Sequence, residues 1–361
     1  MKKDYHGRRI LATGTDVNIG IDVHKESWHV TVMSEGEEIF HGRMPSSYQA
    51  FKRFLARFKN CRIRVAYEAG PCGFWLYDKL MADGVKTIVT PPSLIPMESG
   101  NKVKTDKKDS RKLANLLGKG MLKEVHVLSA KERSEREIVR TRRQLVGHCS
   151  DVARQIKSKL LFNGIQYSAS GRERWTKGYI KWLRELSCKE ESLKISLMSL
   201  LDLYEYLSQQ IKKISKELVA LSQMERYRAR VALVRSVPGI GLLNAMELLV
   251  ELQEIGRFKS ARELASYTGL TPSEYSTGQH IRQGGITRCG NKRVRAALVE
   301  SSWILVGKDP YMRCKYTKLK NRKGGKRAIV AIARNLVVRL RKMLITNEPY
   351  RIGMQVKVVN P

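Results

Sequence analysis

The sequence predicts a mixed α/β unit, then a long helical hairpin, then a mainly helical unit broken by one glycine-rich loop. Three observations carry this. The first third orders its strand-like and helix-like stretches as β-β-β-α-β-α-β. The middle repeats apolar residues at heptad spacing. The last third alternates apolar helical stretches with turns rich in glycine and hydroxyls. The expected boundaries are 15–125, 126–228 and 229–345, with a tail at 346–361.

In the first unit, Ile19, Ile21 and Val23 alternate as in a strand, and Trp28 to Met33 and Glu38 to Gly42 read as two more. Gly36 marks the turn between the second and third strands. Phe51, Phe54, Leu55 and Phe58 give Ser47 to Phe58 helical spacing. Arg62 to Tyr67 is a strand ending at Glu68, Phe74 to Met81 a helix, and Lys86 to Val89 a strand closed by Pro91 and Pro92. A helical segment, 102–117, follows.

Four carboxylates stand out on this frame. Asp22 lies inside an apolar strand, where a carboxylate is costly unless paired or metal-bound. Glu68 ends another strand, and Asp106 and Asp109 share one helix face. The Asp pair alone also fits a helix first turn, where acids favour the macrodipole. Acids converging from separate elements are what two Mg²⁺ ions require, a layout of the ribonuclease H type.

In the middle, Ile138, Leu145 and Val152 step by sevens. Leu193, Leu197, Leu200, Tyr204, Leu207, Ile211, Ile214, Leu218 and Leu221 step by fours and threes. Two long helices in a coiled coil follow, within the chain or between subunits. Arg140, Arg143 and their basic neighbours form either a solvated face or a phosphate-binding one.

In the last third, SVPGIG at 236–241 joins two apolar helices and is similar to a helix-hairpin-helix element. There Gly239 and Gly241 would bring backbone N–H groups to a phosphate; the alternative is a tight interhelical turn. Ser260 is the expected N-cap of a short helix ending at Tyr267. The loop from Gly269 to Arg295 carries Ser276 and Thr277 just before Gly278, with Arg282, Arg288, Lys292 and Arg293 around it. A hydroxyl edged by cations could attack a phosphate; equally, the loop could simply bind one. Helices are expected over 292–308 and 328–344.

Lys plus Arg number 68 against 34 Asp plus Glu, a net charge of +34, which points to a polyanion partner. A membrane surface would favour one basic amphipathic helix, whereas the cations here are spread along the chain. No apolar run approaches the ~20 residues of a membrane span, and the start of the chain lacks a signal-peptide core. The cysteines at 61, 72, 149, 188, 289 and 314 form no CxxC pair, so reduced thiols in a cytosol are expected.

The motifs IGIDVHKES, YEAG, KTDKKDSRKLA, SVPGIG, PSEYSTG and GGITRCGNKRVR, in this order, resemble the DEDD transposases of bacterial insertion sequences. The resemblance spans residues 18 to 345 and extends to the subgroup with PSEY and GGIT motifs. It implies an α/β RuvC-like (RNase H-like) nuclease domain, an α-helical coiled-coil spacer, and a mainly α transposase domain. It implies that Asp22, Glu68, Asp106 and Asp109 hold Mg²⁺, two ions, with Mn²⁺ as a substitute. It further implies donor and target DNA as partners, a non-coding bridge RNA as guide, and a homo-tetramer or dimer of dimers with composite active sites. The setting would be the bacterial cytoplasm and nucleoid. The family's nucleophile is the serine immediately before the glycine; here that place holds Thr277, with Ser276 one earlier. Ser276 is the favoured hydroxyl, with Thr277 as substitute or an impaired copy as the alternatives. Three functions follow for test: an RNA-guided recombinase using a covalent phospho-enzyme, a metal-dependent nuclease or junction resolvase using water, and a non-enzymatic DNA-binding protein.

Overall fold

The computed structural model describes residues 11–96, 106–167, 175–274 and 282–353, and for 106–108 and 283 the backbone alone. The chain divides into two compact units, Met1–Leu128 and Ser129–Pro361. The first follows the expected element order. Strands β1 (Asp16–Val23), β2 (Ser27–Ser34) and β3 (Glu37–Pro45) precede helix α1 (Tyr48–Leu55). Then come β4 (Arg62–Glu68), α2 (Trp75–Ala82), β5 (Lys86–Thr90) and α3 (Asp106–Gly118). The sheet order is β3-β2-β1-β4-β5, with β1 antiparallel to β2 and parallel to β4.

Strand alternation divides the work of β1 between two faces. Val17, Ile19 and Ile21 are fully buried in a cluster with Phe51 of α1 and Leu76 and Leu80 of α2. Asp16, Asn18, Gly20 and Asp22 take the other face, which α3 covers. Gly20 makes that cover possible: a Cβ there would lie 2.1 Å from the Ser110 carbonyl oxygen and 2.5 Å from the Ala114 nitrogen. The contact is locked by Thr31 and Ser110, whose hydroxyls lie 2.9 Å apart.

The second unit opens with α4 (Ala130–Phe162), started by a capping box of Ser129 and Glu132. Helix α5 (Lys177–Glu185) separates it from α6 (Glu191–Gln223). The heptad runs pair within the chain. The Arg142 guanidinium donates to Ser215, and the Cys149 thiol meets Ser208, so seven residues forward on α4 match seven backward on α6. The hairpin is antiparallel, and Val152, Ile156, Leu197 and Leu201 form its core with Tyr179 and Leu183 of α5.

The C-terminal helices are α7 (Glu225–Arg235), α8 (Leu242–Leu252), α9 (Ala261–Tyr267), α10 (Lys292–Lys308), α11 (Pro310–Lys323) and α12 (Gly325–Thr346). Ser260 caps α9 by accepting from the Glu263 nitrogen, as expected. Val139 of α4 and Leu218 and Leu221 of α6 belong to the core of these helices. The spacer thus ends inside the C-terminal core, where α4 and α6 both meet α8. Two strands flank the hydroxyl-bearing stretch, β6 (Pro272–Glu274) and β7 (Gln283–Ile286), paired antiparallel. The root of the loop read from the sequence is therefore a β-hairpin.

Candidate active site

In the first unit, the acid row sits where β1 and β4 end beneath the start of α3. Asp22 pairs with His29 across β2, and Tyr67 pairs with Ile21, which places Glu68 beside Asp22 on the adjacent parallel strand. Thr90 lies opposite Glu68 on β5. One row therefore reads His29, Asp22, Glu68, Thr90 across four strands. The Asp22 carboxylate is 19% exposed and lies 3.0 Å from the His24 ring nitrogen Nε2. Burial chiefly raises the Cys72 thiol, and the negative charge of Asp22 adds to this. Two buried polar atoms on this row, His29 Nδ1 and Thr90 Oγ1, have no hydrogen-bond partner among the described residues.

Asp109 immediately precedes the Ser110 that locks α3 to the sheet, so it enters at the same end. Asp106 opens α3, and its side chain lies outside the described residues. Among the described residues no three His, Cys, Asp or Glu side chains are grouped closely enough to hold a metal ion. The donors of the row are carboxylate oxygens, which suit a hard divalent cation. With the orphaned His29 and Thr90 beside them, they fit a small hydrated ion.

In the second unit, Ser276 and Thr277 lie outside the described residues, so the structure gives only the frame around them. That frame is tight. Gly269 has φ +66, and a Cβ there would come within 2.6 Å of the Cys289 carbonyl oxygen. Gly290 has φ +119, and its Cβ would lie 2.2 Å from the Tyr267 carbonyl oxygen. The chain enters and leaves the hairpin where only glycine fits. Thr287 N–H donates to Thr271, and Asn291 N–H donates to Tyr267.

Asn291 then starts α10. Its Oδ1 accepts from the N–H groups of Arg293 and Val294, and its Nδ2 donates to Glu251 at 2.9 Å. Glu251, whose side chain is 0% exposed, also accepts two hydrogen bonds from Arg140, at 2.8 and 3.0 Å. Burial alone would raise the Glu251 carboxyl; the Arg140 hydrogen bonds outweigh it and hold the group below the ordinary glutamate value. Sequence reasoning missed Glu251. The available signal was an acid inside the apolar run LLVEL, the same signal that singled out Asp22.

The expected phosphate contacts fall into two groups. Arg140 and Arg143 direct their guanidinium groups at Glu251 and at Glu247, the latter 2.7 Å away. Their charge is matched inside the unit. Arg282, Arg288 and Lys292 are exposed around the hairpin, and Arg293 is half-buried, 3.9 Å from Glu251. Gly239 has φ +95, and a Cβ there would lie 2.7 Å from the Ser301 carbonyl oxygen, so α10 packing requires glycine. Gly241 is exposed and caps α8, with open space where a Cβ would be.

Known proteins share both halves of this arrangement. Residues 231–317 match the family described as Transposase IS116/IS110/IS902, and residues 19–163 match the DEDD transposases of the IS110 group. A Sinorhizobium fredii chain named as transposase y4qE is 33% identical over 304 residues, covering 82% of this chain and 74% of its own length. The transposase for insertion sequence element IS1533 of Leptospira borgpetersenii is 26% identical over 341 residues, covering 93% of this chain and 97% of its own. The pilin gene-inverting protein of Moraxella bovis is 34% identical over 125 residues, 34% of this chain and 38% of its own. A mixed sheet with an acidic row, followed by a basic helical unit, is here the architecture of a DNA transposase. The chain belongs to the IS116/IS110/IS902 transposase family. No helix among the described residues is long and apolar enough to cross a membrane.

Proposed function

We propose that this transposase cuts and rejoins DNA through a covalent bond to the hydroxyl of Ser276 or Thr277, with Mg²⁺ held by Asp22, Glu68, Asp106 and Asp109. The observation that carries the reading is the placement of Asp22 and Glu68 side by side on the strand face that α3 covers. Residues 15–125 act as the RuvC-like nuclease domain, 126–228 as the coiled-coil spacer, and 229–345 as the transposase domain. Bound Mg²⁺ would polarise the scissile phosphate and lower the pKa of the attacking hydroxyl.

The chain's own groups do the rest. The hydroxyl oxygen attacks phosphorus, its proton leaves to solvent, and the bond to one sugar oxygen breaks. That sugar oxygen takes up a proton and leaves as a free strand end. The number of phosphoester bonds is unchanged, so rejoining to a second duplex needs no ATP. Exposed Arg282, Arg288 and Lys292 hold phosphates beside the hairpin. The name of the Moraxella relative, an inverter of a gene, supports rejoining rather than cutting alone. A non-coding guide RNA pairing with donor and target DNA, a tetramer, and a cytoplasmic, nucleoid-associated setting complete the proposal.

The test is mass-spectrometric mapping of a protein–DNA adduct in cells carrying the intact element. An adduct on the peptide holding Ser276 and Thr277 is expected, lost in Asp22→Ala while nucleic-acid binding persists. Rearranged DNA without any adduct, even on a trapped cleavage-site analogue, would replace the hydroxyl by water. Cleavage at the parent rate by Asp22→Ala would remove the metal assignment.

A further inference from the structure

Helix α11 and the outer side of α10 carry a surface that the fold leaves unused. Of all its residues α11 buries only Met312. No Asp or Glu stands between Asp309 and Glu348, so the charged residues of α11 and α12 are all cations. On α10, positions 300, 303, 304, 307 and 308 recur at helical spacing and are all exposed. That stripe reads Glu300, Trp303, Ile304, Gly307 and Lys308, with Trp303 50% and Ile304 53% exposed.

Contacts join these residues into one patch. The rings of Trp303 and of Tyr316 on α11 meet edge to face, 5.8 Å between centroids. Arg313 fixes the crossing of the two helices by donating to the carbonyls of Val306 and Gly307, at 3.3 and 2.5 Å. Lys320 and Lys323 stand one and two turns beyond Tyr316, on the face it occupies. A Cβ on Gly325 would lie 3.2 Å from the Tyr316 hydroxyl, which puts the start of α12, with Lys326, at the edge of the patch. Lys308, Lys320, Lys323 and Lys326 are exposed, and none of them forms an ion pair among the described residues. Glu300 is the one acid of the α10 stripe.

An indole held by one ring contact, half open to solvent and flanked by unpaired lysines, suits a polyanion that also carries flat apolar faces. A nucleic-acid strand with an unpaired base is such a partner: the base stacks on the indole and the phosphates meet the lysines. Bases inside a duplex present edges and keep their faces stacked on one another, so a duplex gains only the lysine contacts. A second copy of this chain is a poor occupant, because it brings a like charge of +34. We infer that Trp303 is a stacking platform for one unpaired base of a DNA or RNA strand whose phosphates run along Lys320, Lys323 and Lys326. The inference rests on the nucleic-acid reading of the chain but not on the covalent mechanism, and it is tested where cleavage is absent.

The experiment uses the full chain carrying Asp22→Ala, freed of nucleic acid, and reads fluorescence anisotropy with labelled single-stranded DNA, single-stranded RNA and duplex DNA. Trp303→Ala should weaken single-strand binding about tenfold and duplex binding less than twofold. Trp303→Phe keeps a ring and should recover most of that loss. Lys320→Gln with Lys323→Gln should lower the salt slope of strand binding by about 1.4, at ~0.7 for each phosphate contact. A Trp303→Ala loss confined to the deoxy strand assigns DNA to the platform, and one confined to the ribo strand assigns RNA. Stacking should also quench indole emission, so strand binding should dim the parent more than Trp303→Phe. Strand affinities within twofold of the parent in Trp303→Ala, or an equal loss on duplex, overturn the platform. A changed sedimentation coefficient with strand affinity unchanged overturns it in favour of an interface between copies. If Trp303→Ala fails to fold, the emission comparison decides: equal quenching in the parent and Trp303→Phe overturns the inference.

Discussion

Glu251→Gln should be among the most damaging isosteric changes in the second unit. The side chain is fully buried and accepts from both Arg140 and Asn291. Glutamine keeps one acceptor but turns an amide toward an arginine donor and leaves a cation without its counter-charge. Breaking a buried pair in this way costs ~3–5 kcal/mol. Taking ~3 kcal/mol, because one acceptor survives, and ~2–4 °C per kcal/mol for a domain of this size, the melting temperature should fall by ~6–12 °C. Calorimetry of the parent, Glu251→Gln, Arg140→Met and the double variant measures it. The two changes share one interaction, so a coupling above ~1 kcal/mol is expected. The folded Glu251 carboxyl titrates below its unfolded value, so its contribution is complete above the unfolded value and is lost as pH falls through the folded one. The gap between parent and Glu251→Gln should therefore close in acid. A loss below ~2 °C with additive single changes would show that the carboxylate is not what holds Arg140 and Asn291.

Glu247→Gln should behave with the opposite sign. Burial raises the Glu247 carboxyl even with Arg143 beside it, so its folded value exceeds the unfolded one. Stability from that shift is present below the unfolded value and lost as pH rises through the folded one; the permanently neutral variant should gain on the parent from acidic to neutral pH, read by the same melts. Gly20→Ala should push α3 off the sheet at an overpacking cost of ~1–3 kcal/mol and abolish cleavage while binding persists; unchanged melting would remove Gly20 as the pivot of the acid row. Asp309→Ala should cost more than the ~1 kcal/mol of a lost cap, because Asp309 also holds buried Arg339 at 3.5 Å and the Tyr350 hydroxyl at 2.5 Å. Asp309→Asn, which keeps the cap, should recover only part of that loss in denaturant melts.

The first unit was legible because its signals are local. Alternation gave β1, β2 and β4 within a few residues, and an acid within an apolar strand announced Asp22. The heptads announced α4 and α6, while their antiparallel pairing within one chain required contacts such as Cys149 with Ser208. Four elements escaped: α5, β6, β7 and α11. Helix α11 is basic on nearly every side and buries only Met312, so it has no apolar stripe to read. Strand β7 is half glycine, and strand propensity does not see it. Whether Arg140 and Arg143 face solvent, a phosphate or an acid is not legible locally, because their carboxylate partners stand 111 and 104 residues away. Long-range charge pairing leaves no periodic trace.

Alternation on β1 also limits how this chain can vary. One parity of the strand carries Val17, Ile19 and Ile21; the other carries Asn18, Gly20 and Asp22. Inserting or deleting one residue within it would exchange the two sets, putting isoleucine where the carboxylate belongs and aspartate against Phe51 and Leu80. Point changes on either parity are graded, but a one-residue length change there is all-or-none. Across natural relatives, β1 should drift in composition while keeping its residue count, and the turns at its ends should absorb the length variation.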